Sequence, residues 1–196
     1  MQIGNASLGS VAWDVNLLRF FAGKMSADIH VQRESGSVQA TVSKGFGKQV
    51  RLSDIRGVMP IASMGGLGLP GGWQGDVRLQ IATLDLENSW PVQARGMIDV
   101  NNLVGPANQP TALGNFHAEF AGGASTQNAL SGTLTSTGDG PLDVNGTLRL
   151  LPNRTYVIDA QVATRPNAPA SIAKALQYLG PPDSQGRRPL SISGSI

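Results

Sequence analysis

The sequence predicts a mainly β protein: a single long, strongly twisted antiparallel sheet, open or curled into a partly open barrel, with one C-terminal α-helix packed on it. Three observations lead there. Apolar residues recur with a period of two in run after run, the signature of strands with one buried face. Turn residues separate the runs: 25 of the 196 residues are glycine and 12 are proline. Helix-forming composition is scarce, with 14% charged residues against about 25% in an average globular domain.

Taken in order, Val11, Trp13 and Val15 alternate with small or polar residues, and the bulky Leu17-Leu18-Arg19-Phe20-Phe21 then reads as a corner or short helical turn plugging the core. Met25, Ala27, Ile29 and Val31 face one way, and after a turn at Glu34-Ser35-Gly36 the return strand carries Val38, Ala40 and Val42, a hairpin pattern. From Gly45 the texture changes. Val50, Leu52, Ile55 and Val58 are spaced by two or three, which predicts a brief helical turn capped at Ser53-Asp54 and ended by Pro60, or an irregular strand. Residues 64–72, rich in glycine, read as a flexible connection and the place for any seam within one domain spanning 1–196. A phosphate loop would be followed by a helix N-terminus, and this stretch is followed by a strand.

Thereafter the alternation is regular: Val77-Leu79-Ile81, Val92 to Val100, Phe116-Ala118-Phe120, Leu130 to Leu134, Leu142 to Leu150, and Tyr156 to Val162. Their close succession favours hairpins in sequence order over βαβ crossovers. Gly75, Gly132 and Gly146 recur before or within strands, marking places where a sheet bends or is approached closely. Ile172, Leu176 and Leu179 at i, i+4 and i+7 predict a helix over 167–179 that ends at Gly180. Pro181-Pro182 make the stop rigid, and Leu190, Ile192 and Gly194 predict a last strand.

The composition restricts function. A net charge of +2 and 5% aromatic residues give no basic, stacking surface, so nucleic acid is set aside. Without cysteine there are no disulfides or thiolate metal sites. His117 and Glu119 would share a strand face, but two ligands do not hold zinc. No nucleophile elbow stands between a strand and a helix, and the aspartates suit turns and strand edges better than paired-acid catalysis. The expectation is a non-enzymatic protein with no catalytic residue, cofactor or metal. Trp73 and Trp90, flanking one strand, and the pair Arg187-Arg188 are the candidate partner-binding residues.

Two stretches carry a resemblance: Ala175 to Leu190, containing Leu179-Gly180-Pro181-Pro182-Asp183-Ser184-Gln185-Gly186-Arg187, and Ala94-Arg95-Gly96 to Asn102-Leu103-Val104-Gly105-Pro106. They resemble the periplasmic part of the type II secretion system protein N family. The resemblance implies an accessory, non-enzymatic component that contacts the inner-membrane platform and the outer-membrane secretin. It also implies a periplasmic domain held in the inner membrane by an anchor that this chain lacks, since no apolar run reaches the roughly 20 residues of a span. Self-association is a further expectation. The alternative is an AsmA-like, lipid-handling envelope protein, which a curved sheet with an apolar inside also resembles. An open groove would hold acyl chains, whereas one filled by Phe20, Phe21, Phe116, Phe120 and the helix would not.

Overall fold

The computed structural model describes residues 2–3, 6–7, 10–15, 25–33, 36–44, 49–63, 72–106, 110–123 and 129–195. A two-residue pair, β1 (Gln2–Ile3) and β2 (Ala6–Ser7), stands apart from the main sheet. That sheet has 11 strands: β3 (Ser10–Val15), β4 (Met25–Arg33), β5 (Gly36–Lys44), β6 (Gln49–Pro60), β7 (Gln74–Glu87), β8 (Trp90–Val104), β9 (Ala112–Ala121), β10 (Leu130–Thr137), β11 (Leu142–Leu150), β12 (Thr155–Thr164) and β13 (Arg188–Ser195). Each strand pairs antiparallel with its neighbours in sequence, so the spatial order runs β3 to β13 without a crossover. The sheet does not close: β3 and β13 are its two edges. At about 4.8 Å per strand it is roughly 50 Å wide.

Register turns the period-two pattern into two faces. Ile55 lies opposite Ile81, Ile81 opposite Gly96, and Gly96 opposite Phe120. Farther along, Ala118 faces Leu134, Leu134 faces Gly146, Gly146 faces Ala160, and Ala160 faces Leu190. These rows form one apolar face. The reverse face carries His30, Gln39, Arg56, Gln80, Met97, Glu119, Thr133, Thr147, Asp159 and Ser191 in one continuous row.

Of the two expectations for 45–60, the structure has the irregular strand and not the helical turn. Here β6 is a strand of 12 residues with a bulge at Asp54, whose φ is 53°. Against β5, Arg56 pairs with Gln39 and Ser53 with Thr41, three residues on β6 against two on its neighbour, so one extra residue shifts the alternation by one. That slip gives Leu52 and Ile55 the spacing of three that imitates a helix. A short 3₁₀ turn at 61–63 follows Pro60. The corner expected at Leu17 to Phe21 and the flexible stretch 64–71 lie outside the described residues, while β6 and β7 on either side of that stretch are paired along their length.

Burial concentrates in the second half. Ala94, Ala118, Phe120 and Leu130 form one cluster, with Leu84, Ile98, Leu134, Leu148 and Leu150 against it. The ring of Phe120 lies over Gly132: a Cβ there would come within 2.8 Å of it, so the strand glycine makes room for an aromatic side chain. Burying such a ring contributes about 1.5–3 kcal/mol. A second cluster joins Val144, Ala160 and Val162 to Phe116, Leu142, Leu176 and Leu190.

The helix is shorter than the sequence predicts, α1 (Ala170–Leu176) followed by a 3₁₀ turn at Gln177–Leu179. Pro169 occupies its N-cap position with no side-chain cap. Ile172 is buried and Leu176 reaches the second cluster, so the apolar stripe read from i, i+4 spacing does seat α1 on the sheet.

Candidate interaction surfaces

Polar side chains on the reverse face are laced across strands. Arg51 and Asp85 stand directly opposite each other on β6 and β7. Arg51 Nε and Nη2 donate to Asp85 Oδ1 and Oδ2 at 2.6 and 2.8 Å, a bidentate fork. The hydrogen bond from Arg51 holds the buried Asp85 carboxyl below the usual carboxylate range and raises the guanidinium. His117 Nδ1 and Asp99 Oδ1 lie 2.7 Å apart, which commits the histidine that shares a strand face with Glu119. Among the described residues no three His, Asp or Glu side chains come together as metal ligands. On β12, Asp159 accepts from Ser191 at 2.7 Å and pairs with Arg149 at 2.5 Å. The Ser191 hydroxyl first, then Arg149, lower its carboxyl.

The segment 180–188 is a built loop. Asp183 Oδ1 accepts the N–H groups of Gln185 and Arg187 at 2.8 and 2.9 Å, and Arg187 Nε donates to Oδ2 at 3.1 Å. The Arg187 N–H is the largest cause of a lowered Asp183 carboxyl. Arg188 donates to the Gly180 carbonyl. The two arginines singled out in the sequence therefore fasten this loop beside the edge strand. Trp73 precedes β7 and Trp90 opens β8; both are half-buried. The Trp90 indole N–H is buried without an acceptor among the described residues. The structure does not bring the tryptophans and arginines together: the former flank the middle of the sheet and the latter begin β13.

Sequence reasoning missed two features. Arg165 donates to Ser136 Oγ at 3.1 Å and to the Gly138 and Gly140 carbonyls, clamping the β10–β11 turn. Its sequence neighbours gave no sign of that reach. A hollow of about 700 Å³ lies over β4–β8, lined on the polar face by His30, Gln39, Arg56, Val58, Arg78, Gln80 and Met97. The sequence offered the alternation, but the Asp54 bulge hid which face Arg56 takes.

The described residues form an open antiparallel β-meander with one polar face and two free edges, and no helix among them is long and apolar enough to cross a membrane. The family model of the Type II secretion system (T2SS), protein N, matches residues 1–191. The chain belongs to that family. It is also similar to a Type II secretion system protein N of Aeromonas hydrophila, at 39% identity over 59 residues. That similarity spans 30% of this chain and 23% of the relative. No solved structure matches.

Proposed function

We propose that the chain is a non-enzymatic, periplasmic scaffold domain of the secretion system, tethered to the inner membrane in the full-length protein, and that it meets platform and secretin subunits by strand addition at β13. The observation that carries this reading is the state of that edge. Ser191, Ile192 and Ser193 are all exposed, Ile192 by 44%. The strand has no Lys, Glu or Asp between Pro189 and Ser195, so it lacks the charges that usually blunt an edge. Pro189, which cannot donate, limits pairing at one end. Strand addition would use the free backbone of β13, with Arg187 and Arg188 setting its start and Trp73 and Trp90 offering a separate contact in mid-sheet. The same edge could take a second copy of the chain, giving the expected self-association.

Photo-crosslinkers at Ser191 and Ser193 in secreting cells test it. Cross-links to platform or secretin subunits are expected, and their loss on Ile192→Pro. An absence of any cross-link from the edge, with no binding in pull-down or ultracentrifugation, overturns it.

One observation favours the lipid-handling alternative. Val31, Val38, Val42 and Leu52 on the apolar face of β4–β6 are only half-buried, while in the second half Phe116, Phe120 and α1 occupy that face. Native mass spectrometry after mild extraction separates the readings: co-purified lipid supports the groove, and a clean apo mass supports the scaffold.

A further inference from the structure

We propose that the hollow over β4–β8 binds an extended acidic segment of a partner protein, one in which carboxylates alternate with apolar side chains. Arg56 and Arg78 carry the argument. Arg56 lies opposite Gln80 and Arg78 opposite Val58, so the two arginines are diagonal neighbours on adjacent strands. Sheet geometry sets diagonal Cβ atoms about 7–8 Å apart, close enough for two long side chains to reach one carboxylate or two successive ones. Both are exposed, and neither has an ion pair or hydrogen bond to a described residue. Arg51, Arg149, Arg165 and Arg187, in contrast, are each paired with an aspartate.

The hollow's own acid, Asp54, leaves an excess of positive charge there. At its rim a smaller hollow of about 370 Å³ adds Asp76 and Asp99; Asp99 stands directly across from Arg78 and also bonds His117. The complement is therefore a carboxylate-bearing ligand whose acids fall over Arg56 and the hollow's side of Arg78, clear of Asp76 and Asp99.

Apolar contact is provided at the same place. Val58 and Met97 are exposed by 42% and 36%, large apolar side chains standing on a face that is otherwise polar. Arginine and methionine are enriched at protein interfaces, and guanidinium groups grip carboxylates in bidentate fashion. Gln39 and Gln80, on either side of Arg56 in its row, offer amides to a passing backbone. A phospholipid headgroup would satisfy the arginines as well, so vesicles of an anionic lipid form one arm of the test. A peptide with alternating side chains fits the combination. This contact is independent of strand addition at β13.

The test is fluorescence anisotropy with a short fluorescein-labelled peptide alternating glutamate and leucine, titrated with the whole chain at low and high salt. Saturable binding is expected, weaker at high salt and weakened about tenfold or more by Arg56→Gln with Arg78→Gln, and by Val58→Ser. Lys174→Gln, on the exposed side of α1, should leave it unchanged. Circular dichroism melts confirm that the variants fold. The reversed pair, Arg56→Glu with Arg78→Glu, should instead favour a lysine–leucine peptide. Equal binding of both peptides by the wild type, unchanged affinity in the Gln pair, no binding at millimolar peptide, or arginine-dependent binding to phosphatidylglycerol vesicles in place of the peptide would each overturn the proposal.

Discussion

The two halves of the sheet share one sequence pattern and differ in what covers it. Among the described side chains of β4–β6, Ile55 and Ser26 are the buried ones, whereas β8–β12 bury Ala94, Ala118, Phe120, Leu130, Val144, Ala160 and Val162. Both halves alternate apolar and polar residues. The second has large rings, Phe116 and Phe120, and a helix that sits on β11 and β12. The lesson is that alternation specifies a strand and its faces, while burial depends on bulk and on a covering element. The half without either keeps its apolar face half-exposed, and it carries most of the hollow on the other face.

The sharpest test compares truncations in the two halves. Phe120→Ala should cost about 3–5 kcal/mol, as a large buried ring leaves a cavity. Val42→Ala, on the half-buried face, should cost about 1 kcal/mol or less. Urea unfolding checks both, and equal losses would break the comparison. Next in size, Ile172→Ala should cost about 2–3 kcal/mol and uncover Val144, Ala160 and Val162, seen as a rise in binding of a hydrophobic dye.

A smaller effect separates the halves by acid sensitivity. The Asp85 carboxyl is lowered in the folded state from its ordinary 3.8. Its contribution is therefore full above that value and is lost as the pH falls through the folded value below it. Arg51 is well exposed, so screening limits the pair to about 1 kcal/mol or less. Asp85→Asn should lower stability at neutral pH by that amount and flatten the acid limb of the stability curve. Smallest of all, Ser191→Ala removes the main cause of the lowered Asp159 carboxyl. Titration by NMR should show that carboxyl moving up, with the urea unfolding midpoint little changed.

Much of this was legible in residues. The strands from β7 onward follow from period two alone, because their apolar positions stay in phase over long runs such as Val92 to Val100. The hairpin order followed from short spacings between them. For β6 the reading stayed open between a helical turn and an irregular strand, because the bulge at Asp54 puts the chain out of phase within a single strand and no local residue announces it. The helix was found from Ile172 and Leu176, with its end misplaced because Gln177–Leu179 tightens into a 3₁₀ turn. The surfaces were less legible. Arg187 and Arg188 drew notice as an exposed pair, yet Asp183 and Gly180 occupy them; Arg56 and Arg78 lie 22 positions apart in the chain and become neighbours only through the β6–β7 register.

The uninterrupted strand order has a consequence in time. Every pairing joins segments adjacent in sequence, so the sheet can grow hairpin by hairpin as the chain emerges, most steps closing a short loop. The helix is encoded behind the strands it covers, between β12 and β13. Until it arrives, the faces of Val144 and Val162 stand open to water and to other chains. The growing sheet is thus most vulnerable to aggregation in the interval before α1 emerges, and a holding chaperone would matter most then.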